Sequence, residues 1–530
     1  MADKIKQYQN QFRKGLLPRR DFIRLAAAAG ISTTALGNLM TTDLFAATPK
    51  RGGRMVIGVE ATQTIDSLDP AAYEGTADIL RGYAVYDMLV NRGPDLLPVP
   101  HLATSWEAFD KASRWVFKIR KGVVFHDGKS LDADDVIYSF HHHIREKSES
   151  PAKSYFGQIK KMKALDKHTV EFTLASSNAD FPIIMSDTRA HIISKGYQDF
   201  STMTNGTGPF KVKKYKAGVT YILERNPNYW GPGGPYVDEI EYIGIGDPTA
   251  RVNALLSGDI DLMLYLDPKT VPLIKRNKNT SLLQSKSGLC TNMAMRMDME
   301  PTKDNNVRLA LKYAIDRNVI LRNVFKGLGH VGNDHPISSI DPYYNHDIPQ
   351  REYDPEKARF YIKKAGFENK PIDLYTAETT GTGSIALCEI YQETARSCGV
   401  NLNLIKSPAD SYWGNIWRKK PFCTSQWDPR PVPDLILSIA YKGGAPYNET
   451  GWNNARFDKL LVEARGVTEF AKRKEMYGEM QQMLQDEGAT ISPVFQDFLD
   501  ASGSHVKGIT PHPSGPLGFY QFATNVWLDS

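Results

Sequence analysis

Short strand-like and helix-like segments alternate along most of this chain, and this alternation restricts its fold more than any other feature. Short, mainly apolar segments predict strands at residues 54–59 and 115–119. Apolar residues at helical spacing predict a helix over residues 79–89. Asp132 is expected to cap a further helix that runs through Phe140. With no solenoid-like repeat, the pattern predicts a mixed α/β fold.

The length and the hydropathy limit the architecture further. A chain of 530 residues is longer than one hydrophobic core supports, and the usual domain size predicts two or three domains. Beyond the N-terminal segment, no stretch is long and apolar enough to cross a bilayer. The sequence therefore predicts a multidomain protein without a transmembrane helix.

The N-terminal segment has the layout of an export signal. Arg19 and Arg20 precede a mildly apolar stretch at residues 25–40, which is too short to span a bilayer, and small residues follow it. This layout predicts a twin-arginine signal peptide over residues 1–46, removed on export through the Tat translocase. Because no cysteine precedes Cys290, we expect no lipid anchor and a mature protein free in the periplasm of a two-membrane bacterium.

Charge gives no argument for a nucleic-acid partner. Residues 1–46 hold seven Lys or Arg and three Asp or Glu, so the net charge falls from +5 to +1 without them. The basicity of the chain therefore belongs mostly to the export signal, and we predict no nucleic-acid or membrane-surface binding. The aromatic share of 10%, much of it Tyr and Trp, suits a ligand cleft with flat, partly polar walls.

Cysteine and histidine usage predicts neither a disulfide framework nor a metal. Cys388 and Cys398 fall in one predicted helix about 15 Å apart, too far to bridge, and the sequence leaves open one disulfide between distant segments. The three consecutive histidines from His141 to His143 do not share a helix face, so we predict a solvated helix end and no metal or cofactor. The chain has four cysteines, too few for a framework: Cys290, Cys388, Cys398 and Cys423.

No sequence signature of catalysis is present. The chain lacks the G-x-S-x-G elbow, the H-E-x-x-H pair and the Walker loop. The glycines at Gly206 and Gly208 suggest a phosphate cradle, but Pro209 lacks an N–H and a strand follows, so a tight turn is predicted. A pair of catalytic carboxylates is never excluded by sequence, and a periplasmic hydrolase therefore stays an alternative to a binding protein that is not an enzyme.

Nine short motifs follow one another in a fixed order and carry a family resemblance. Together they resemble the extracytoplasmic solute-binding proteins of the peptide/nickel class of ATP-driven importers, bacterial solute-binding protein family 5, over nearly the whole mature chain. The motifs are Leu68-Asp69-Pro70; Phe125-His126-Asp127-Gly128-Lys129 with Ala133-Asp134-Asp135-Val136; Gly206-Thr207-Gly208-Pro209-Phe210; Glu224-Arg225-Asn226-Pro227-Asn228-Tyr229-Trp230; Val237-Asp238-Glu239-Ile240; Leu256-Ser257-Gly258-Asp259-Ile260-Asp261; Val307-Arg308-Leu309-Ala310-Leu311 through Asp316-Arg317; Tyr353-Asp354-Pro355-Glu356-Lys357-Ala358; and Gly451-Trp452-Asn453-Asn454 with Phe457-Asp458.

The resemblance implies a two-lobed periplasmic-binding-protein fold, with an extra subdomain and lobes joined by two crossing strands that close over a ligand. It implies that lobe I contains residues 47–290, including the extra subdomain, and residues 491–530, and that lobe II contains residues 291–490. It also implies a function: capture of a solute, with short peptides as the first expectation, for delivery to the permease subunits of an ABC importer in the inner membrane.

The segment around Trp427 carries the strongest expectation of ligand contact. In peptide-binding relatives the matching segment offers an aromatic residue and an aspartate that meets the peptide amino terminus, and Trp427 and Asp428 are the matches. A buried ammonium needs a counter-charge, and an indole face covers it well. Arg430 is suited to clamp a carboxylate. Relatives place small or acidic residues at 429–431, so a carboxylated non-peptide solute, such as an opine or a metal chelate, is the alternative.

Weaker candidates lie elsewhere in the chain. Thr62 and Thr64 belong to a loop after the first strand, which lines the cleft in relatives. Arg296 stands among alternating methionines and is expected to face either the cleft or solvent. Trp413 and Trp417, with the tyrosine before them, are expected to pack in a core, with a second aromatic wall as the alternative.

Overall fold

The structure is a computed structural model that describes residues 48–60, 66–73 and 75–529. The predicted signal peptide, together with Thr62 and Thr64, lies outside the described residues. The described strands are β1 (Arg54–Val59), β2 (Val90–Arg92), β3 (Pro98–Pro100), β4 (Ala103–Phe109), β5 (Arg114–Ile119), β6 (Ile159–Asp166), β7 (Thr169–Leu174), β8 (Phe210–Lys216), β9 (Thr220–Arg225), β10 (Glu239–Gly244), β11 (Leu262–Met263), β12 (Thr280–Met295), β13 (Gly329–Val331), β14 (Pro371–Thr376), β15 (Asn401–Lys406), β16 (Phe422–Trp427), β17 (Thr490–Ile491), β18 (Val494–Gly503), β19 (Val506–Lys507) and β20 (Trp527–Leu528).

Helices alternate with these strands, which confirms the predicted α/β class. A π-helical turn, Leu437–Tyr441, directly follows the helix Pro433–Ile436. The helices are α1 (Thr76–Val85), α2 (Ala133–Ile144), α3 (Lys153–Phe156), α4 (Phe181–Ile184), α5 (Pro248–Ser257), α6 (Val271–Arg276), α7 (Asn305–Tyr313), α8 (Arg317–Asn323), α9 (Pro355–Lys364), α10 (Ser384–Arg396), α11 (Ala409–Asn415), α12 (Pro433–Ile436), α13 (Ala455–Ala464), α14 (Phe470–Asp486) and α15 (Pro516–Phe519).

One large mixed sheet organises the chain, and β12 and β18 lie at its centre. The strand order is β15-β14-β16-β12-β18-β11-β1-β10-β9-β8, with β13 beside β18 and β17 beside β12. The first half of β12 pairs with β18, from Thr280 opposite Gly503, whereas its second half pairs with β16 up to Met295 opposite Phe422. The β12–β18 register shifts between Ser285 and Leu289. These two strands therefore cross from one half of the sheet to the other.

Separate hydrophobic cores lie on the two halves of the sheet. The first core gathers residues between Met55 and Leu264 and takes in the C-terminal tail from Val506 to Val526. A second core lies between Met293 and Val494, and a third, which includes α13 and α14, lies between Ile337 and Leu484. The C-terminal tail thus returns to the core built by the N-terminal half. The lobe boundaries at residues 290 and 490 stay predictions.

A separate four-stranded antiparallel sheet, β4-β5-β7-β6, packs within the first core beside α2. The start of α2 confirms the predicted cap. The Asp132 side chain accepts hydrogen bonds from the backbone N–H groups of Asp134 and Asp135, and the Asp135 side chain accepts one from the Asp132 N–H. Such reciprocal capping satisfies donors that a helix start otherwise leaves unpaired.

The predicted solvated end of α2 is wrong for two of its three histidines. His142 Nε2 is hydrogen bonded to Asp69 Oδ1 at 2.8 Å, and His143 Nδ1 to Ser150 Oγ at 2.7 Å. Both rings are buried, and burial lowers the pKa of His143 to about 4. The helix ends against neighbouring loops rather than in water, and His141 alone of the three is exposed.

All four cysteines lie in the described part of the chain, where each is buried and free. Cys388 lies within α10, and Cys398 follows the end of that helix. Burial raises the pKa of the Cys388 and Cys423 thiols to about 12. A thiol held in this protonated state is a weak nucleophile, because the thiolate is the reactive form.

Candidate ligand-binding cleft

Two adjoining pockets open between the first core and the β16 side of the large sheet. The larger pocket encloses about 1530 Å³ of empty space, part of it open to solvent, and the smaller pocket about 600 Å³. We call them together the cleft. Five residues line both pockets: Arg92, Asp428, Pro429, Arg430 and Ser514.

The end of β16 and the loop that follows it form one wall of the cleft. Backbone pairing with β12 fixes β16 as far as Trp427, which lies opposite Cys290. The chain then leaves the sheet, and Pro429, Pro431 and Pro433 restrict the backbone before and at the start of α12. Asp428 and Arg430 stand on this stiffened loop. The sequence thus holds two opposite charges in nearly fixed positions beside the sheet.

The opposite wall comes from segments that are far apart in sequence. Arg92 ends β2, Tyr155 belongs to α3, and Phe519 and Tyr520 lie at the C-terminal end of α15. Tyr265 and Tyr520 approach each other, with hydroxyl oxygens 3.4 Å apart. The Arg92 guanidinium carbon lies 4.7 Å from the centre of the Phe519 ring. These aromatic rings and guanidinium groups face the β16 loop across the larger pocket.

Charges of both signs line the larger pocket in equal number. Arg189 and Asp187 approach to 3.9 Å between Nη1 and Oδ1. Burial lowers the pKa of Arg92 to about 10, and Asp187 partly offsets that effect. Among the described residues, no ion pair involves Asp428 or Arg430. The charged residues of this pocket are Glu60, Asp187, Asp428, Arg92, Arg189 and Arg430.

A buried carboxylate fixes the ring of Trp427. Glu449 accepts hydrogen bonds from the indole N–H of Trp427 at 3.1 Å and of Trp417 at 2.8 Å. Burial raises the pKa of Glu449, although both indole groups oppose that shift. The Arg430 guanidinium carbon lies 5.8 Å from the Trp427 ring centre. Trp427 therefore has a defined orientation in the wall of the smaller pocket, with a cation beside its ring.

The structure brings three of the six predicted ligand-binding residues together, since Trp427, Asp428 and Arg430 all line the cleft. Their contact with a ligand stays a prediction. Arg296 is not among the residues that line the two pockets; it lies just beyond β12, and its Nε donates to Asp298 Oδ1 at 2.8 Å. Thr62 and Thr64, outside the described residues, also stay predictions.

The aromatic residues before β16 divide between core and surface. Tyr412 is fully buried and its hydroxyl donates to the Thr424 carbonyl at 2.9 Å. Trp413 is 41% exposed and stacks edge-on with Trp417 at 5.7 Å. Core packing, predicted for all of them, therefore holds for Tyr412 and is wrong for Trp413. The difference arises because neighbouring residues of a short helix point to different faces.

Sequence reasoning missed most of the wall opposite β16. Arg92, Arg189 and Ser514 lie 97 and 325 positions apart along the chain and share no motif, and the fold alone brings them to one cleft. Within the described ranges, no group of three or more His, Cys, Asp or Glu side chains is arranged to hold a metal ion. None of the helices there combines the length and apolar content that a bilayer crossing requires.

The fold and the cleft define a class: a two-lobed α/β protein in which two strands cross between lobes and a pocket opens where the lobes meet. Residues 98–448 match the family model described as "Bacterial extracellular solute-binding proteins, family 5 Middle". The chain belongs to this family of solute-binding proteins.

Known relatives support the assignment over most of the chain. The dipeptide-binding protein of Escherichia coli K12 is 25% identical over 465 residues, which cover 79% of this chain and 85% of that protein. Helicobacter pylori DppA, solved with the peptide STSA, has a TM-score of 0.72 at 23% identity and covers 91% and 99% of the two chains. AgaA of A. tumefaciens R10, solved with agropinic acid, has a TM-score of 0.71 at 23% identity, with coverage of 90% and 99%. These structures confirm the two-lobed fold.

Proposed function

We propose that this protein captures short peptides in the cleft and delivers them to the permease subunits of an ABC importer, acting by binding and not by catalysis. One observation carries the proposal: Asp428 and Arg430 line the same pockets with opposite charges and without an ion-pair partner among the described residues. A short peptide with free termini is a zwitterion, and it finds a counter-charge for each end there.

The comparisons support a peptide ligand without naming it. The E. coli relative is called a dipeptide-binding protein, and the H. pylori structure holds a peptide. The AgaA structure holds agropinic acid, so a carboxylated non-peptide solute is the second candidate. The guanidinium groups of Arg92, Arg189 and Arg430 in one pocket favour that candidate over an uncharged solute.

Thermal unfolding of the purified protein tests the proposal. Di- to pentapeptides at about 100 times their Kd stabilise a binding protein by about 2.7 kcal/mol, so we expect Tm to rise by several degrees. Asp428→Asn and Arg430→Gln should each reduce the rise. Arg396→Gln is the matched control, because this arginine is 70% exposed on α10. A rise with opines or metal chelates and none with peptides would contradict a peptide function, and product formed from a stabilising ligand would contradict binding without catalysis.

We also propose that residues 1–46 form a cleaved twin-arginine signal peptide that sends the folded chain through the Tat translocase into the periplasm. The Arg19-Arg20 pair ahead of a short apolar stretch supports this route, and the family is described as extracellular. Replacing both arginines with lysine keeps the charge and should abolish the periplasmic fraction in cell fractionation. Arg13→Lys is the matched control and should export normally; normal export of the double variant would overturn the route.

A further inference from the structure

Buried hydrogen-bond donors without acceptors converge on the smaller pocket. Asn292 is fully buried, and its Oδ1 accepts from Cys290 Sγ at 2.9 Å and from Ser492 Oγ at 3.0 Å, whereas its Nδ2 has no partner. The Nε atoms of Arg92 and Arg430 are also buried and unpartnered among the described residues. Proteins rarely leave buried donors unsatisfied, and these three residues line one pocket, where a ligand can supply acceptors.

The three donors come from three separate elements. Arg92 ends β2, Asn292 lies on β12, and Arg430 follows β16. None of these nitrogens can act as an acceptor, because guanidinium and amide N–H groups only donate. A ligand group that satisfies them must therefore offer several acceptor atoms, and two of the donors favour a negative charge on it. A carboxylate meets both conditions.

The rest of the smaller pocket is largely apolar. Leu96 from one side and Ile337, Ile340 and Ile436 from the other line it, together with the Trp427 ring. Its empty space of about 600 Å³ is partly open to solvent. An apolar group that enters is removed from water, which favours binding in proportion to the buried area.

Two carboxyl groups also line this pocket, Asp341 and Asp428. Asp341 accepts a hydrogen bond from the Tyr343 N–H at 2.8 Å, and burial raises its pKa to about 7. It therefore carries only part of a negative charge at neutral pH. Asp428 is exposed and also faces the larger pocket, where a ligand ammonium can reach it. The positive charge of the Arg92 and Arg430 guanidinium groups therefore exceeds the negative charge in the smaller pocket.

We propose that the smaller pocket binds the acid end of the ligand. The ligand carboxylate accepts hydrogen bonds from Asn292, Arg92 and Arg430, and the side chain next to that carboxylate fills the apolar space. This inference rests on the proposed function and narrows its ligand class to short peptides that have a free carboxyl terminus and an apolar last residue.

Calorimetric titration of the purified protein with Ala-Leu, its carboxamide and Ala-Ser tests this assignment. Because hydrogen bonds to a charged group are stronger than those to a neutral one, we expect the carboxamide to bind about 10-fold to 100-fold more weakly than the free acid. Ala-Ser should also bind more weakly than Ala-Leu. Asn292→Asp keeps the Oδ1 acceptor and the side-chain shape but replaces the donor with a charged oxygen. It should weaken binding of the free acid and reduce the preference over the carboxamide.

Arg430→Gln is the second variant, in case a new buried charge at position 292 prevents folding. It should also reduce the preference for the free acid, whereas the exposed control Arg396→Gln should keep the wild-type preference. Equal affinity for acid and carboxamide in the wild-type protein would overturn the subsite and leave the proposed function intact. If no peptide binds, the proposed function and this inference both fail.

Discussion

At the scale of single residues, the turn between residues 205 and 209 shows why glycine stands where it does. A Cβ atom at Gly206 would lie 1.9 Å from the carbonyl oxygen of Val85, and one at Gly208 would lie 2.5 Å from the Val85 carbonyl carbon. Between them, Thr207 Oγ1 donates to Asp87 at 2.8 Å. The turn is therefore a backbone-to-backbone contact and not a phosphate cradle.

Gly206→Ala should consequently destabilise the fold. Because the clashing atom is backbone, it cannot rotate away as a side chain would, and we expect a loss of about 3 kcal/mol in the free energy of unfolding, the upper end for overpacking. Gly414→Ala is the matched control: it lies in α11, where a Cβ atom would have no other atom within 4 Å, and alanine favours a helix. Urea unfolding of both variants checks this, and equal stability would contradict the close-contact explanation.

At the scale of elements, β18 is buried along all ten residues and carries two carboxyl groups, Asp497 and Asp500. Asp500 accepts hydrogen bonds from the backbone N–H groups of Tyr265 at 3.2 Å and Leu517 at 2.7 Å. Tyr265 lines the larger pocket, and Leu517 directly precedes the segment that contributes Phe519 to it. The strand therefore positions two parts of the cleft wall through one side chain.

The pKa of Asp500 predicts a pH dependence. Burial raises this pKa to about 7, against about 3.9 in an unfolded chain. A raised folded-state pKa contributes stability that is fully present below pH 4 and is lost as the pH rises through about 7. Asp500→Asn removes this contribution, so the stability lost by the variant should be larger at pH 5 than at pH 8.

Urea unfolding at the two pH values measures the difference between wild type and variant. Glu393→Gln, at an exposed carboxylate, should show no such dependence. A constant difference for Asp500→Asn would contradict a neutral buried carboxyl group at this position.

Particular elements show how far the sequence could predict this fold. The strand predicted at residues 54–59 has the same bounds in the structure, because a short apolar segment is a local signal. The helix predicted at 79–89 runs instead over Thr76–Val85, since Tyr86 is extended and the backbone before it packs on the Gly206 turn. In the cleft, the β16 loop could be predicted from its resemblance to the matching segment of peptide-binding relatives. The opposite wall could not, because tertiary contacts alone assemble it.

At the scale of the whole molecule, the two lobes are joined by β12 and β18, and a contact away from these strands also connects the first and third cores. Arg473 of α14 pairs with Asp180 at 2.5 Å, and both side chains are at most 5% exposed. Next to this pair, the Ala179 N–H donates to the Arg465 carbonyl at 2.7 Å. We propose lobe boundaries near residues 290 and 490, beside the crossing strands, so that this ion pair bridges the lobes.

Removing one partner of this ion pair should leave the other charge buried and unpaired, which lowers the free energy of unfolding. Arg473→Met leaves the Asp180 carboxylate buried without a counter-charge, and breaking a buried pair in this way costs about 3–5 kcal/mol. The double variant Asp180→Asn, Arg473→Met removes both charges and should lose less than the sum of the single variants. The exposed pair Arg396–Glu393 is the control, for which we expect a coupling below about 1 kcal/mol.

The same pair should also affect closure of the cleft. If the ion pair bridges the lobes, its loss weakens the closed arrangement. The ligand contacts that favour closure stay intact, because neither Asp180 nor Arg473 lines the two pockets. The ligand-free double variant should therefore have a larger radius of gyration by X-ray scattering than the ligand-free wild type, and a saturating peptide should restore the smaller value. An unchanged radius together with a large coupling energy would place both residues within one lobe, and the proposed boundaries would then be wrong.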